Sequence, residues 1–382
     1  MKKLILILAL SSFILSCSKK ESTELKQINS DPIYHKWYFF TKNNFEETSL
    51  PQKSDINSLK PWTEAFRCSD AQSSKNNTAY LLVNRLGVVV LEEEKEPILI
   101  QDYQLFSDAT ASNLVFYRKE PYFTLSRSSF FNKNATLKID SKEDSNRPFL
   151  VRVCNNSKML YPVITYGDLK LATGGEITGS YFDGLNWFCS IKTEQMGRNF
   201  FSYIKWTSLQ DLSTFPSYTK ENKLSISNSS ESEYRNLNSP LPLSKAPNRL
   251  KNLLSSIPKD FGFSINLYET DGFSPTIYED KNDNHLTKAN ALIDDSWICA
   301  IFSDGTTYFN GALADREILN NGKNIAFRLP KLPSNYLYGK FCIYGKMLVV
   351  TWEETDFYKT GRSGFLTVDL EKVLYGEADN VY

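Results

Sequence analysis

The chain has 382 residues, with 44 basic and 44 acidic side chains but only two histidines. This balance provides no basic field that would attract nucleic acid. The scarcity of histidine argues against imidazole-based zinc sites and against Ser-His-Asp triads. Aromatic residues make up 14% of the chain, mostly Tyr and Phe, and long helical patterns are scarce. Both features favour strands over helices.

The N-terminus has the pattern of a bacterial lipoprotein leader. A short positive segment precedes an apolar stretch, Leu4–Leu15, which is shorter than the roughly 20 residues that a helix needs to span a bilayer. Ile14-Leu15-Ser16-Cys17 resembles a lipobox, with an aliphatic residue at −3 and a small one at −1. We therefore expect removal of residues 1–16, acylation of Cys17 including a palmitate chain, and stable membrane anchoring in the cell envelope.

The mature chain is predicted to consist of a tether and one folded domain. Residues 17–30 are polar and lack an apolar period, which is typical of a flexible linker. Residues 31–382 are aromatic and patterned, which predicts a single large domain. Five cysteines follow Cys17, none in a C-x-x-C arrangement, and four of them lie inside apolar runs, so we expect small buried hydrophobes and no metal site.

Hairpin-like units recur along the chain, beginning near residues 79, 114, 149, 187, 263, 297 and 341. In the last unit, Gly345-Lys346 predicts a two-residue turn between Phe341–Tyr344 and Met347–Trp352. Steps of about 34 to 44 residues predict an all-β protein, a β-propeller of about seven or eight blades with four strands each. β-Sandwich domains are the alternative, because they also show regularly spaced strands.

Two features concern the edges of this pattern. Residues 215–258 are predicted to be an inserted loop, polar at first and ending in a short amphipathic helix with Leu250, Leu253 and Ile257 on one side. The strand near Trp37–Phe40 is expected to pair with the C-terminal strand Phe365–Leu370, so that no sheet edge is left exposed at the seam.

Several motifs resemble those of spirochaete lipoproteins, treponemal ones especially. They are the lipobox and four further segments, Lys60–Ala65, Val83–Gly87, Val350–Glu354 and Thr360–Gly364. The resemblance covers nearly the whole mature chain and implies a β-propeller fold. It supplies no established activity and no catalytic residues.

The candidate catalytic groups are carboxylates. Glu353, Glu354 and Asp356 follow a predicted strand, and paired carboxylates can hydrolyse glycosides when their spacing suits the mechanism. The alternative is a solvated loop with ordinary ion pairing to Arg362. Neither histidine has a nucleophile motif nearby, and the chain lacks a phosphate-binding glycine loop, so no cofactor is predicted.

A candidate binding surface combines aromatic and charged loop residues, namely Trp62, Glu64, Arg67, Arg85, Trp352, Glu353 and Arg362. Such residues could bind a ligand, or they could pair with one another and fix adjacent blades. With a lipobox, a repeated scaffold and no coherent catalytic set, we expect a lipid-anchored scaffold that binds another protein or an envelope component. The rival functions are a carboxylate-dependent glycan hydrolase and a sugar-binding module that uses exposed Trp62 or Trp352.

Overall fold

The structure is a computed structural model that describes residues 26–27, 35–41, 44–48, 66–74, 77–106, 109–117, 119–127, 147–166, 175–182, 186–207, 226–230, 263–266, 276–280, 288–293, 297–303, 305–313, 316–317, 325–333, 335–354 and 362–375. These residues form five sheets and two short helices, which confirms the prediction of an all-β protein. The N-terminal strands β1, β2 and β3 join sheets that later strands complete; they span Lys26–Gln27, His35–Phe40 and Phe45–Thr48.

Sheets I and II are four-stranded antiparallel meanders in chain order. Sheet I contains β4 (Cys68–Ser73), β5 (Thr78–Val83), β6 (Gly87–Glu92) and β7 (Ile98–Ile100). The short helix α1 (Tyr103–Phe106) leads to sheet II. Sheet II contains β8 (Ala109–Tyr117), β9 (Glu120–Arg127), β10 (Pro148–Cys154) and β11 (Met159–Thr165).

Sheet III has the same meander, whereas sheet IV is larger. Sheet III contains β12 (Gly175–Phe182), β13 (Asn186–Gln195), β14 (Arg198–Thr207) and β15 (Ile226–Asn228). Sheet IV contains β16 (Phe263–Asn266), β17 (Thr276–Asp280), β18 (Lys288–Ile293), β19 (Trp297–Phe302), β20 (Thr306–Leu313), β21 (Arg316–Glu317) and β22 (Ile325–Arg328). The N-terminal strand β1 adds to sheet IV by parallel pairing with β22.

Sheet V joins the two ends of the chain. Its strands are β23 (Tyr336–Tyr344), β24 (Met347–Glu354) and β25 (Ser363–Asp369), followed in space by β2 and β3, and the chain continues into helix α2 (Leu370–Tyr375). β2 pairs antiparallel with β25, with Trp37 opposite Leu366. This pairing confirms the prediction that the N-terminal strand would add to the C-terminal one.

Sheet I is packed on both of its faces. Along β5, Leu81 and Val83 belong to a core shared with sheets IV and V, whereas Tyr80 and Leu82 belong to a core shared with sheet II. Successive side chains of a strand point to opposite faces, so a strand covered on both sides must be apolar throughout. This explains why every residue of Thr78–Val83 is buried.

Sheets IV, V, I, II and III contact one another in that order. The first strands of neighbouring sheets contact each other, β23 with β4, β4 with β8, and β8 with β12, while β18 of sheet IV contacts β23. Each of the first strands β4, β8, β12 and β23 also carries a β-bulge. In two sheets a hydroxyl from the next strand satisfies a carbonyl at the bulge, from Thr124 to Ser112 O and from Thr351 to Lys340 O, both at 3.1 Å.

The regular spacing of hairpins does not correspond to one sheet per hairpin. The units that begin near residues 114 and 149 are β8–β9 and β10–β11, and both lie in sheet II. The described residues therefore form five open sheets, rather than the seven or eight blades that the spacing predicts. Hairpins look alike in sequence whether they supply the first or the last two strands of a sheet. The number of hairpins therefore does not give the number of sheets.

The predicted insertion, residues 215–258, includes one strand. β15 pairs with β14 at the edge of sheet III, while the predicted helix near residues 250–257 lies outside the described residues. In the part of the chain that the structure describes, no helix is both long and apolar enough to cross a membrane.

Candidate functional site

The predicted site residues that the structure describes fall near one end of sheets I and V, which we call the charged end. It comprises the residues before β4, the turn between β5 and β6, and the segment where β24 ends and β25 begins. Trp62, Glu64, Asp356 and the predicted lipidation residue Cys17 lie outside the described residues. Arg67, Glu353, Arg362 and Arg85 all belong to the segments at this end.

Arg67 and Glu353 form a bidentate ion pair across the seam between sheets I and V. Arg67 Nε donates to Glu353 Oε2 at 2.8 Å, and one terminal nitrogen donates to Oε1 at 2.7 Å. The planar guanidinium fork matches a carboxylate, which fixes the geometry as well as the charge. The Arg67 side chain is 52% exposed and that of Glu353 is 25% exposed. The pair thus ties the sheets together and still presents charge to solvent.

Glu354 is a buried structural residue rather than a loop charge. It is 2% exposed, its Oε1 accepts a hydrogen bond from Asn335 Nδ2 at 2.8 Å, and its backbone N–H donates to the Arg362 carbonyl at 3.0 Å. Glu353 and Glu354 are neighbours in β24, so their side chains point to opposite faces of the sheet. They therefore do not face a common substrate as a catalytic pair, and a partnership between Glu353 and Asp356 stays a prediction.

The prediction that Trp352 is an exposed stacking platform is wrong. Trp352 is 2% exposed, and its ring lies in an aromatic cluster with Trp37, Phe39 and Tyr336 at centroid distances of 6.5, 6.2 and 5.6 Å. Gly364 lies opposite it in β25, and a Cβ on Gly364 would come within 2.5 Å of the indole ring. The missing side chain at Gly364 makes room for Trp352, and the ring belongs to the core.

Arg85 belongs to the turn between β5 and β6, where it adopts a φ of 66°. Its neighbour Asn84 accepts a hydrogen bond from the Ala111 N–H of sheet II at 2.8 Å. This turn therefore faces the seam between sheets I and II. The Asn84 N–H also donates to the Arg67 carbonyl at 2.9 Å, so the turn that carries Arg85 adjoins the Arg67–Glu353 pair as well.

Asp70 is an internal charged residue that the sequence did not single out. Its carboxylate accepts hydrogen bonds from the N–H groups of Ala71 and Leu114, both at 2.9 Å, so it joins β4 to β8. Burial raises the pKa of Asp70, and the positive charge of Lys340 opposes that increase. The signal in the sequence was an acidic residue inside a strand, between Cys68 and Ala71.

The opposite end of the same seam contains a cavity of about 380 Å³, which we call the tyrosine pocket. Its walls come from the β6–β7 turn of sheet I and from β2, β25, α2 and the β23–β24 turn of sheet V. Tyr38 and Tyr344 line it, and they are only 3% and 4% exposed. Burial, together with nearby Glu96 and Glu47, raises the pKa of Tyr38 to about 12, and burial also raises the pKa of Tyr344.

Three lysines at the tyrosine pocket are engaged in ion pairs. Lys346 Nζ lies 2.7 Å from Glu371, and Lys36 Nζ lies 3.4 Å from Glu96. Lys95 pairs with Glu92. Sequence reasoning missed this pocket, although the acidic run Glu92–Glu96 was a signal for it. Its other walls come from distant parts of the chain, and no local pattern shows that they meet.

Residues 26–372 match the family described as "Family of unknown function (DUF8086)". The chain belongs to this family. A relative from Treponema pallidum (strain Nichols), named "Uncharacterized lipoprotein", is 23% identical over 406 residues, which cover 88% of this chain and 87% of the relative. The predicted similarity to uncharacterised treponemal lipoproteins is therefore confirmed, whereas the propeller fold that the resemblance implied is not.

A solved structure, Beta-1,2-Mannobiose phosphorylase from Listeria innocua in complex with beta-1,2-mannobiose, is 10% identical to this DUF8086 chain. The alignment covers 92% of this chain and 98% of the phosphorylase, with a TM-score of 0.20. A similarity at that score carries no argument about fold or activity.

The described part of this DUF8086 chain offers neither a metal cluster nor an activated thiol. Within it, no group of three or more His, Cys, Asp or Glu side chains could hold a metal ion. Cys68, Cys189, Cys299 and Cys342 are free and buried. Burial raises the pKa of each of these thiols, which keeps them protonated and inert. They act as small core residues, as the sequence predicted.

Proposed function

We propose that this protein is a lipid-anchored scaffold of the bacterial cell envelope that binds another protein or an envelope component. Its sheets are arranged as successive blades of a propeller-like body, and its charged end supplies the binding surface. The observation that carries the proposal is the Arg67–Glu353 pair, a preorganised and partly exposed charge pair held between two rigid sheets.

The anchor rests on two independent supports. One is the Ile14–Cys17 lipobox, and the other is the similarity to the treponemal relative, which is named as a lipoprotein. Acyl chains on Cys17 would hold the protein at a membrane, since each buried CH₂ group adds about 0.8 kcal/mol.

The propeller-like arrangement is supported by the order of the sheets. The first strands of sheets V, I, II and III contact one another in that order, and sheet I is covered by sheet V on one face and by sheet II on the other. The pairing of β2 with β25 has the form of a seam at which the two ends of the chain complete one blade. Such a body changes little on binding, which favours recognition through fixed surface residues.

A binding role suits the charged end better than hydrolysis. Glu353 is held by Arg67, and Glu354 is buried against Asn335. Glu353 is thus engaged in an ion pair and Glu354 is buried, which suits neither carboxylate to act as the acid or the nucleophile. A negatively charged group of a partner could instead displace Glu353 from the exposed guanidinium of Arg67, or bind to that guanidinium beside Glu353.

The test is chemical cross-linking in cells followed by affinity capture, comparing wild type with two charge reversals. Arg67→Glu should lose the captured component, whereas Lys372→Glu should retain it. Lys372 is a matched control because its side chain is 51% exposed and forms an ion pair with Asp369, but it lies in α2 at the other end of sheet V. Equal capture by both variants would contradict the assignment of the charged end.

A separate experiment, palmitate labelling followed by detergent partitioning, tests the anchor. Cys17→Ser should lose palmitate labelling and move from the membrane fraction into the aqueous phase on detergent partitioning. Retention of label by that variant would contradict the lipobox. The chemical nature of the captured component, protein or glycan, then decides between the two classes of partner.

A further inference from the structure

The tyrosine pocket lies at the end of the sheet V–sheet I seam that the proposed scaffold role does not use. β24 begins at the pocket with Met347 and ends at the charged end with Glu354, and an extended strand of that length spans roughly 23 Å. Its volume of about 380 Å³ lies within the range of small-molecule sites, roughly 300 to 1,000 Å³. Any ligand here would thus be recognised separately from a partner at Arg67.

Two tyrosines line this cavity with hydroxyls that have no partner in the described part of the chain. Tyr38 and Tyr344 make no hydrogen bond through their hydroxyls with any residue that the structure describes, although both side chains are more than nine-tenths buried. The negative charges that act on these hydroxyls, Glu96 on Tyr38 and Glu93 on Tyr344, line the same cavity. Neither hydroxyl oxygen is fully enclosed, so both are accessible from the cavity, where a ligand can take the place of water as their hydrogen-bond partner.

The pocket also carries excess negative charge. Six acidic residues line it against three lysines, and each of those lysines already forms an ion pair with a glutamate. Glu93 and Glu94 have no cationic partner among the described residues. The carboxylate of Glu93 accepts a hydrogen bond from the Lys346 backbone N–H at 3.3 Å and lies against Gly345, where a Cβ would collide with it. The hairpin turn therefore holds this carboxylate in place.

We propose that the tyrosine pocket binds a small organic ammonium group, such as the amine of a diamine or of an amino sugar. The ammonium would donate hydrogen bonds to the Tyr38 and Tyr344 oxygens, while Glu93 would balance its charge. The tyrosine rings add a favourable electrostatic surface for a cation. An anionic ligand is disfavoured because it would meet several carboxylates, and the lysines that could offset them are already paired.

The test is calorimetric titration of the full mature chain with two amines and their matched neutral analogues. Putrescine represents a free diamine, with butanediol as its neutral counterpart. Glucosamine represents an amino sugar, with N-acetylglucosamine as its counterpart. We expect the amines to bind and the neutral compounds not to bind, and binding should weaken as ionic strength rises. Binding by glucosamine alone assigns an amino sugar, and binding by both amines assigns the ammonium group itself.

Two variants and two controls locate the site. Tyr344→Phe and Glu93→Gln should each weaken amine binding by about tenfold, the effect of losing a hydrogen bond that involves a charged group. Tyr80→Phe and Glu120→Gln should bind as wild type does, because Tyr80 pairs with Asn155 and Glu120 with Arg152, away from the pocket. Absence of amine binding, equal binding of the neutral compounds, or unchanged affinity in both pocket variants would overturn the proposal. None of these results bears on capture through Arg67.

Discussion

The two ends of the seam between sheets V and I use their polar side chains in different ways. At the charged end, Arg67 and Glu353 pair with each other, and one carboxylate oxygen of Glu354 accepts a hydrogen bond from Asn335. At the other end, the rings of Tyr38 and Tyr344 are buried, while their hydroxyls make no hydrogen bond with a described residue and stay open to the cavity. The same two sheets form both ends, so the difference reflects local side chains rather than the fold. The ion pair of the charged end holds the two sheets together, whereas the hydroxyls of the tyrosine pocket remain available to a ligand.

The largest expected effect is a loss of stability at Gly364, where strands of sheet V are packed closely together. Gly364 lies between Tyr38 and Trp352, and a Cβ there would collide with the Tyr38 carbonyl and approach the Trp352 ring to 2.5 Å. Gly364→Ala should therefore lower the free energy of unfolding by about 3 kcal/mol or more, measured by urea denaturation. Gly197→Ala is the control, because its Cβ meets no atom within 4 Å and its φ of +71° alone should cost about 1 kcal/mol. Similar losses of unfolding free energy in both variants would contradict the close packing around Gly364.

A smaller effect should separate the two carboxylates of the charged end. Glu354→Ala removes a buried acceptor and leaves the Asn335 amide without it, which should cost about 1 to 3 kcal/mol of unfolding free energy. Glu353→Ala breaks a partly exposed ion pair, which should cost less than about 1 kcal/mol. Parallel thermal and urea unfolding of the two variants measures the difference. If Glu353→Ala proved the more damaging, the ion pair would contribute more to stability than its exposure indicates.

The smallest effect concerns pH at the tyrosine pocket. The folded pKa of Tyr38, about 12, is higher than its ordinary value of 10.0. The neutral phenol therefore contributes stability that is fully present below about pH 10 and is lost as pH rises through about 12. Tyr38→Phe should lose less stability than wild type does over that interval, followed by circular dichroism at increasing pH. An identical decline in both proteins would show that folding does not raise the pKa of Tyr38.

Local features of the fold were predictable from the sequence. Turn residues bounded the hairpins, as with Gly345, which adopts a φ of 54° between β23 and β24. The apolar run that begins near residue 79 indicated a strand, but its burial on both faces was found only in the structure. What the sequence could not show was the grouping of hairpins into sheets, because β8–β9 and β10–β11 have the same local pattern and yet belong to one sheet.

The candidate site was predictable only residue by residue. Arg67 and Glu353 were both singled out, but their pairing depends on sheets I and V lying side by side, which no local signal reveals. Trp352 was misjudged because its burial depends on the space left by Gly364 on the neighbouring strand. The tyrosine pocket was missed because Tyr38, Glu93 and Tyr344 come from three distant segments.

The addition of β2 to β25 also determines the order of folding events. In sheet V, His35 pairs with Val368, so strands from the two ends of the chain must meet before that sheet is complete. Closing so long a loop is entropically costly, and contacts of such high sequence separation form slowly. Sheet V can therefore form only after the ribosome has released almost the entire chain. An exported protein built in this way stays unfinished while it is threaded through a translocation channel, and it completes its fold only on the far side.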